Sequence, residues 1–452
     1  MLSAVIYLIF FALLGGMLLG RKDQSYIWVF LSLLIFPSCI YFTKSPQVSP
    51  QQLLLYTFFI VCFLWNRKDL VEAIFKHPLR IPLAMLAMSL MASAFLNGEG
   101  IKGGYNAFRY FMENYAYLIV AFVGGLNYKK INLDKHWFYP VVAVCILGIL
   151  EFVSKSNIIF PLICKAFPYY DGYYDLTNAV TASRTYRSRI FLTTTHPTAL
   201  GSILCCALMF FTCRMKSSLL PKNKMWFVWG ALCLLICLSG SRTAVVCAMM
   251  GLGLYVFMKV GIRARIMILV LVGFMMAAIL PRAIGEFSVE GQGSSMSLRE
   301  EQLLFSYLHF VKSPIYGNGV RYISKYVMER DTYNDRVVDS SIGGLESVVF
   351  YQMIDYGLIG MFSYLMLFLF AFIYFFRRRR FTHAQAGLLI TCCFFVFACL
   401  SGEIGGNNSF AYMLMGYCMG ASRREEEDES DGTRETEKSP DDEDSETEAL
   451  GA

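Results

Sequence analysis

The chain has 452 residues, of which 56% are hydrophobic, 15% aromatic and only 16% charged. Soluble domains average about a quarter charged residues, so an ordinary soluble enzyme is excluded, and apolar runs able to cross about 30 Å of hydrocarbon recur nearly from end to end. The formal net charge of +6 conceals a division: residues 421–452 hold 14 acidic and 4 basic side chains, while the other 36 basic and 20 acidic residues give the membrane body +16.

Met1 is followed at once by an apolar run with no basic n-region and no small-residue cleavage site, so residues 2–19 read as a retained span. Charged breaks between apolar runs predict further spans near 25–43, 51–66, 81–97, 106–124, 137–153, 195–213, 225–240, 243–258, 266–281, 350–376, 384–401 and 408–421. The expected fold is an all-α polytopic membrane protein of about 12–13 transmembrane helices, because in hydrocarbon only helices and closed barrels satisfy their own backbone. Short-loop basic residues select the cytoplasm. Arg21/Lys22, Arg67/Lys68, Lys129/Lys130, Arg214 to Lys224, Lys259 to Arg265, Arg377 to Arg380 and Arg423/Arg424 alternate consistently, which puts the C-terminus inside and, for an odd count, the N-terminus outside. One span more or fewer reverses the N-terminal end.

Most of the 14 Cys lie inside apolar runs, among them Cys205, Cys206, Cys233, Cys237, Cys392, Cys393 and Cys399. There a thiol behaves as a small hydrophobe. With no CxxC pair and no Cys/His cluster at metal-site spacing, neither a disulfide framework nor zinc is expected.

Two loops, about 154–194 and 283–349, are long, and both fall on the outer side, where long loops tend to be functional. The second predicts its own helix: Ser297 and Glu300 make an S-x-x-E capping box ahead of a stripe at Leu303, Leu304, Tyr307, Leu308 and Val311, and Pro314 with Gly317-Asn318-Gly319 ends it. Residues 1–421 are thus a transmembrane body, and 422–452 read as an acidic, disordered cytoplasmic tail or an appended expression remnant.

Against the positive-inside bias, the outer side holds Arg184, Arg187, Arg189, Arg242, Arg282, Arg299, Arg321, Arg330 and Arg336. Charge placed against topology invites a functional reading, and the planar guanidinium suits the oxygens of a lipid-borne diphosphate. Four local patterns sharpen this. Arg189-Ile-Phe-Leu-Thr-Thr-Thr-His196-Pro197 leads into a span; Ser239-Gly-Ser-Arg242-Thr-Ala244 sits at an outer junction; Arg299 opens the loop helix that leads to Pro314-x-x-Gly317-x-Gly319; and Glu346 stands eleven residues before Gly357-Leu-Ile-Gly360. A carboxylate such as Glu346 at a partly dry site can take the proton of an attacking hydroxyl. Arginines can stabilise a departing diphosphate electrostatically. Tyr169, Tyr170, Tyr173 and Tyr174, with Asp171 and Asp175, offer sugar-stacking and hydroxyl-binding groups in the first long loop, or merely interfacial packing. The outer loops contain no Asp-x-Asp element, which favours metal-free chemistry.

In this order and spacing the four patterns, over roughly residues 105–420, resemble the O-antigen ligase and O-antigen polymerase superfamily. The resemblance implies a glycosyltransferase C-like, inverting and metal-independent enzyme with no cofactor, acting at the outer face of the bacterial inner membrane. It implies Arg242, Arg299 and Arg189 at the donor diphosphate, Glu346 as the catalytic position, and substrate contacts from His196, Arg187, Arg321, Tyr173 and Tyr174, with His196 as readily structural. Ligases of the group usually carry His-Asn where this chain has Glu346-Ser347, which leans toward a polymerase. Its partners are then undecaprenyl-diphosphate-linked oligosaccharide, as donor and as acceptor, and membrane lipids; a chain-length regulator is left open, and nucleic acid is not expected. The alternatives are a ligase acting on lipid A core or protein, and a transporter or flippase of lipid-linked sugar. A transporter would place ionisable groups deep in symmetric halves, whereas here, apart from Glu151, Asp355 and a few edge residues, the spans are almost uncharged.

Overall fold

The computed structural model of the protein describes residues 2–21, 24–44, 47–130, 133–170, 189–215, 220–267, 295–323, 347–401 and 406–437. These form an all-α membrane body, and four of the helices are long and apolar enough to cross a bilayer: α10 (Pro197–Arg214), α12 (Arg242–Lys259), α14 (Val348–Arg377) and α15 (Thr382–Leu400). Two bent pairs, if each is counted as one broken span, bring the number to six among the described residues. α4 (Arg67–Phe75) meets α5 (Arg80–Leu96) at 78°, and α8 (Leu133–Ser154) meets α9 (Ile159–Ala166) at 109°.

The fold class is as expected, but several anticipated spans are subdivided. The run at 25–43 becomes an eleven-residue helix, α2 (Ser25–Ile35), followed by β1 (Ile40–Tyr41) and β2 (Thr43–Lys44). That at 106–124 breaks at Tyr115 into α6 (Gly100–Asn114) and α7 (Ala116–Leu126). α1 (Leu2–Leu19), α3 (Pro50–Trp65) and α11 (Lys222–Ser239) match their apolar runs, and the expected span at 266–281 lies mostly outside the described residues. Apolarity sets where a chain dwells in lipid, not where its helices break. α3 illustrates a sharp start: Pro50 sits in its first turn, Ser49 accepts from the Gln52 amide, and Gln52 returns a bond to the Ser49 amide.

The loop helix α13 (Ser295–Phe310) is present, but its described residues begin at Ser295. Ser297, expected at its start, is therefore placed inside it. Its two faces are also unlike a core helix. Gln302, Phe305, Ser306 and His309 are buried against the body, while Leu303, Leu304, Tyr307, Leu308 and Val311 are exposed. An apolar stripe turned outward from a helix at the end of a membrane body suits the lipid interface.

Helix α16 (Asn407–Glu437) runs through the body beside α7. A Cβ at Gly416 would strike the Leu118 carbonyl, one at Gly420 the Phe122 carbonyl, and one at Gly125 the Tyr417 carbonyl. Small residues four apart let two helices touch backbone to backbone, the packing device favoured where lipid supplies no hydrophobic drive. α16 also corrects the reading of the acidic segment. Residues 422–437, expected to be disordered, continue the helix, because their acids meet the basic loops: Glu426 pairs with Arg378 (2.7 Å), Asp428 with Lys129 (2.8 Å), Glu429 with Arg380 (2.8 Å), and Glu425 lies 2.8 Å from His383 Nδ1. Arg423 reaches Glu72 at 2.7 Å. Basic residues read as one-sided from the sequence thus meet at one end of the bundle.

Candidate functional site

At the other end the described residues join the four sequence patterns in two pairs. In the first, the segment from Arg189 to Pro197 docks on the α11–α12 junction. Gly240 takes a left-handed conformation (φ +61°) as the C-cap of α11. Arg189 donates from Nε to the Ser239 carbonyl (3.3 Å) and from a terminal nitrogen to the Gly240 carbonyl (2.7 Å), a cation at the negative end of a helix dipole. The Ile190 amide bonds the Leu238 carbonyl at 3.4 Å.

Beneath this segment lies Glu151, buried at the end of α8. Its Oε1 accepts from the Phe191 amide (3.0 Å) and Asn157 Nδ2 (3.1 Å), and its Oε2 from the Leu192 amide (3.0 Å). Leu192 is held at φ +53°, a conformation that side chains disfavour, and Asn157 also donates to its carbonyl at 2.7 Å. A buried carboxylate filled by two backbone amides fixes the strand that carries Arg189 to His196. His196 is the N-cap of α10, its Nδ1 accepting from the Thr198 amide at 3.1 Å, ahead of Pro197 in the first turn. That is a structural duty, one of the two expected for it.

Ser241 caps α12 by accepting from the Ala244 amide (3.3 Å), and Ala244 packs where a Cβ on Gly201 of α10 would sit. Arg242 is the first residue of α12 and is exposed. It makes no hydrogen bond or ion pair with any described residue. A free guanidinium beside the amides of a helix N-terminus can receive an anion from solvent.

In the second pair, the Pro314–Gly319 turn docks on a break in α14. Gly357 has φ +67° and ψ −164° in the middle of that helix. The carbonyls exposed by the break, and the amides beyond it, are taken up by the turn: Asn318 N to Ile354 O (3.1 Å), Gly319 N to Asp355 O (3.1 Å), Leu358 N to Pro314 O (2.9 Å) and Ile359 N to Ile315 O (3.3 Å). A side chain at Gly317 would collide with the Asp355 carbonyl, and one at Gly357 with the Ile315 carbonyl. The two glycine patterns are therefore halves of one backbone joint. Asn97 Nδ2 donates to the Gly317 carbonyl (3.0 Å), Ser93 Oγ to the Asp355 carbonyl (2.9 Å), and the Asp355 carboxylate accepts from the Ile323 amide at 3.0 Å.

Beside this joint stands a carboxylate that the sequence reading passed over. Glu113 receives Arg109 Nε, Gln52 Nε2 and, at 2.6 Å, a terminal nitrogen of Arg321. Glu113 and Arg109 are 13% exposed while Arg321 is 41% exposed, so the group turned outward is the cation. Arg321 has φ +55°, and its guanidinium lies 5.5 Å from the centre of the Tyr110 ring. Gln352, fully buried on α14, donates to Tyr115 Oη (3.3 Å) and Tyr110 Oη (3.5 Å). Its Oε1 has no partner among the described residues. The signal was available as Arg109 and Glu113, an ion pair at i,i+4 spacing inside an apolar run.

Glu346, Arg187, Tyr173 and Tyr174 lie outside the described residues, as do Arg184, Arg282, Arg330 and Arg336. Arg299 is placed on α13, and nothing is described of its side chain. Ser347, next to Glu346, is buried at the N-terminus of α14.

The bundle is thus a multi-pass membrane protein whose uncommon backbone and buried acids gather at the end opposite its basic loops. Residues 226–365 match the family model described as O-Antigen ligase. None of the curated proteins compared with the chain matches it. The matched segment begins in α11 and ends in α14, taking in the second, third and fourth patterns.

Proposed function

We propose that the protein is an inverting glycosyltransferase that polymerises undecaprenyl-diphosphate-linked oligosaccharide repeat units at the outer face of the bacterial inner membrane, as in O-antigen or capsule synthesis. The observation that carries this reading is the match of residues 226–365 to the O-antigen ligase family model, a segment that contains a carboxylate, Glu346, at the position where the ligases it resembles usually have histidine. In this mechanism Glu346 removes the proton of the acceptor hydroxyl as its oxygen bonds to the donor anomeric carbon. The bond from that carbon to the diphosphate breaks on the opposite face, and the carrier-lipid diphosphate leaves with the electron pair. Arg242, Arg299 and Arg189 offset the charge that develops on it. The exposure of Arg242 and its freedom from partners among the described residues suit that task, whereas Arg189 is already tied to two carbonyls. Arg321, Arg187, His196, Tyr173 and Tyr174 are the proposed substrate contacts.

A ligase reading, transfer of a finished glycan to lipid A core or protein, is favoured by the description of the matching family. The surface polysaccharide of a deletion strain separates the two. A single repeat unit on the core means polymerase; full-length polymer left on the carrier lipid means ligase. Turnover is expected to persist in excess EDTA. Activity lost to the chelator and restored by magnesium or manganese would refute the metal-free mechanism.

A further inference from the structure

Helices α8 and α11 run side by side in one direction, since Phe138 meets Phe227 near the start of each and Gly148 meets Leu235 near the end of each. Between them is an open surface groove of about 480 Å³ walled almost entirely by apolar groups, including Cys145, Ile146 and Gly230, with Ile146, Trp226 and Phe227 more than half exposed. Toward its inner end the Phe138 ring lies 6.4 Å from that of Phe227 and 5.1 Å from Lys224 Nζ. Toward its outer end the helices draw together, where a Cβ on Gly148 would strike Leu235 and approach Ile190, whose amide bonds the Leu238 carbonyl. In the middle, a Cβ on Gly230 would meet no atom of a described residue within 4 Å. Glycine inside a helix costs about 0.5–1 kcal/mol against alanine, and neither packing nor backbone conformation asks for one here.

What stands above the groove identifies its occupant. α11 ends at Ser239 and Gly240, about 15 Å along the helix from Gly230, where Arg189 is bound to the Gly240 carbonyl and Arg242 is exposed with no partner among the described residues. An apolar trough with cations at its outer end complements an amphiphile that has an anionic head and one long hydrocarbon chain. We propose that the α8–α11 groove holds the polyprenyl chain of the donor, with its diphosphate at Arg242. This rests on the donor role given to Arg242 above, and it adds where the carrier lipid lies.

The test uses full-length protein in lipid nanodiscs and a diazirine-bearing polyprenyl diphosphate. Crosslinks are expected on peptides from 138–154 and 222–239. Unlabelled polyprenyl diphosphate should compete for them, and diacyl phosphatidic acid, also anionic but two-chained and with a single phosphate, should not. Gly230→Phe fills the trough without touching the proposed catalytic groups and should weaken competition about ten-fold, the loss of contact with roughly two methylene groups. Gly253→Phe, on α12 outside the groove and likewise open to a side chain, should compete as wild type and controls for folding and for the added ring. Labelling spread over the whole lipid-facing surface, or competed equally by phosphatidic acid, would mean bulk lipid only and overturn the proposal. So would unchanged competition in Gly230→Phe. A fall in thermal midpoint for Gly230→Ala would also overturn it, since the trough would then be filled by protein. The readout is binding, so the two readings fail separately: a protein that labels as expected but forms no glycosidic bond keeps its groove and loses its assignment as a polymerase.

Discussion

The two ends of the bundle use charge differently. At the end with the sequence patterns, Glu113, Glu151 and Asp355 are buried or nearly so, and each takes one to three directed bonds from backbone amides, guanidinium or amide groups. At the basic end, the acids of α16 meet arginines and a lysine that are mostly 25–63% exposed. A buried carboxylate left without its donors is expensive, whereas an exposed pair is worth about 0–1 kcal/mol. One end is therefore built to hold geometry, and the other holds a long helix by many weak contacts. The contrast predicts that single substitutions matter at the first end and average out at the second.

The largest effect is expected at Glu346. Glu346→Gln preserves size and hydrogen bonding but removes the base, which typically costs about 10²–10⁴-fold in rate. Glu346→Asp should retain partial activity. Purified Glu346→Gln enzyme that elongates lipid-linked repeat units at near wild-type rate would eliminate the mechanism. Next come the arginines. Arg242→Lys keeps the charge and loses the planar fork, so activity should fall about 10- to 100-fold, as for loss of a charged hydrogen bond of ~1.5–3 kcal/mol. Wild-type product from both Arg242→Lys and Arg299→Lys, at equal expression, would leave them as headgroup anchors.

Stability should respond most at Glu113. Glu113→Gln strands two arginines, and the cost should fall toward the lower part of the ~3–5 kcal/mol range for a broken buried pair, because Arg321 is partly solvated. Thermal unfolding in detergent measures it. An unchanged midpoint would show that the outer-end network is not what fixes the backbone there.

Much of this was legible in the sequence, for identifiable reasons. Hydropathy gave the helical membrane class, because burial in lipid leaves the chain no other backbone solution. The placement of Lys and Arg identified one common end, and Lys129, Arg378 and Arg380 do meet the same stretch of α16. The patterns were visible as patterns, but not their pairing: that Gly317 and Gly357 face one another across a backbone joint depends on contacts between residues forty apart. Glu113 was missed because averaging over an apolar run dilutes one acid, although Arg109 marks it. Residues 422–437 are helical where disorder was expected, because composition counts charges without asking what lies opposite them, while 438–452 lie outside the described residues. Read alone, residues 425–429 repel one another; read against Arg378, Arg380 and Lys129, they are a matched helix face.

That matching yields the smallest predicted effect and the sharpest check on the contrast. Arg380–Glu429 has side chains 63% and 54% exposed, and Arg378–Glu426 25% and 41%. Water screens both pairs, and each long side chain loses rotamer freedom to meet its partner, so Glu429→Gln should cost a few tenths of a kcal/mol and Glu426→Gln no more than about 1 kcal/mol. Transfer to about 1 M salt shortens the screening length to about 3 Å and should shrink even these differences, whereas the loss in Glu113→Gln, buried beside α14, should survive. Measured midpoints for Glu426→Gln and Glu113→Gln at low and high salt therefore form a four-way comparison. If Glu426→Gln proved as costly as Glu113→Gln, and insensitive to salt, the basic end would be as tightly built as the other, and the acidic helix would be a structural strut rather than a screened, weakly held face.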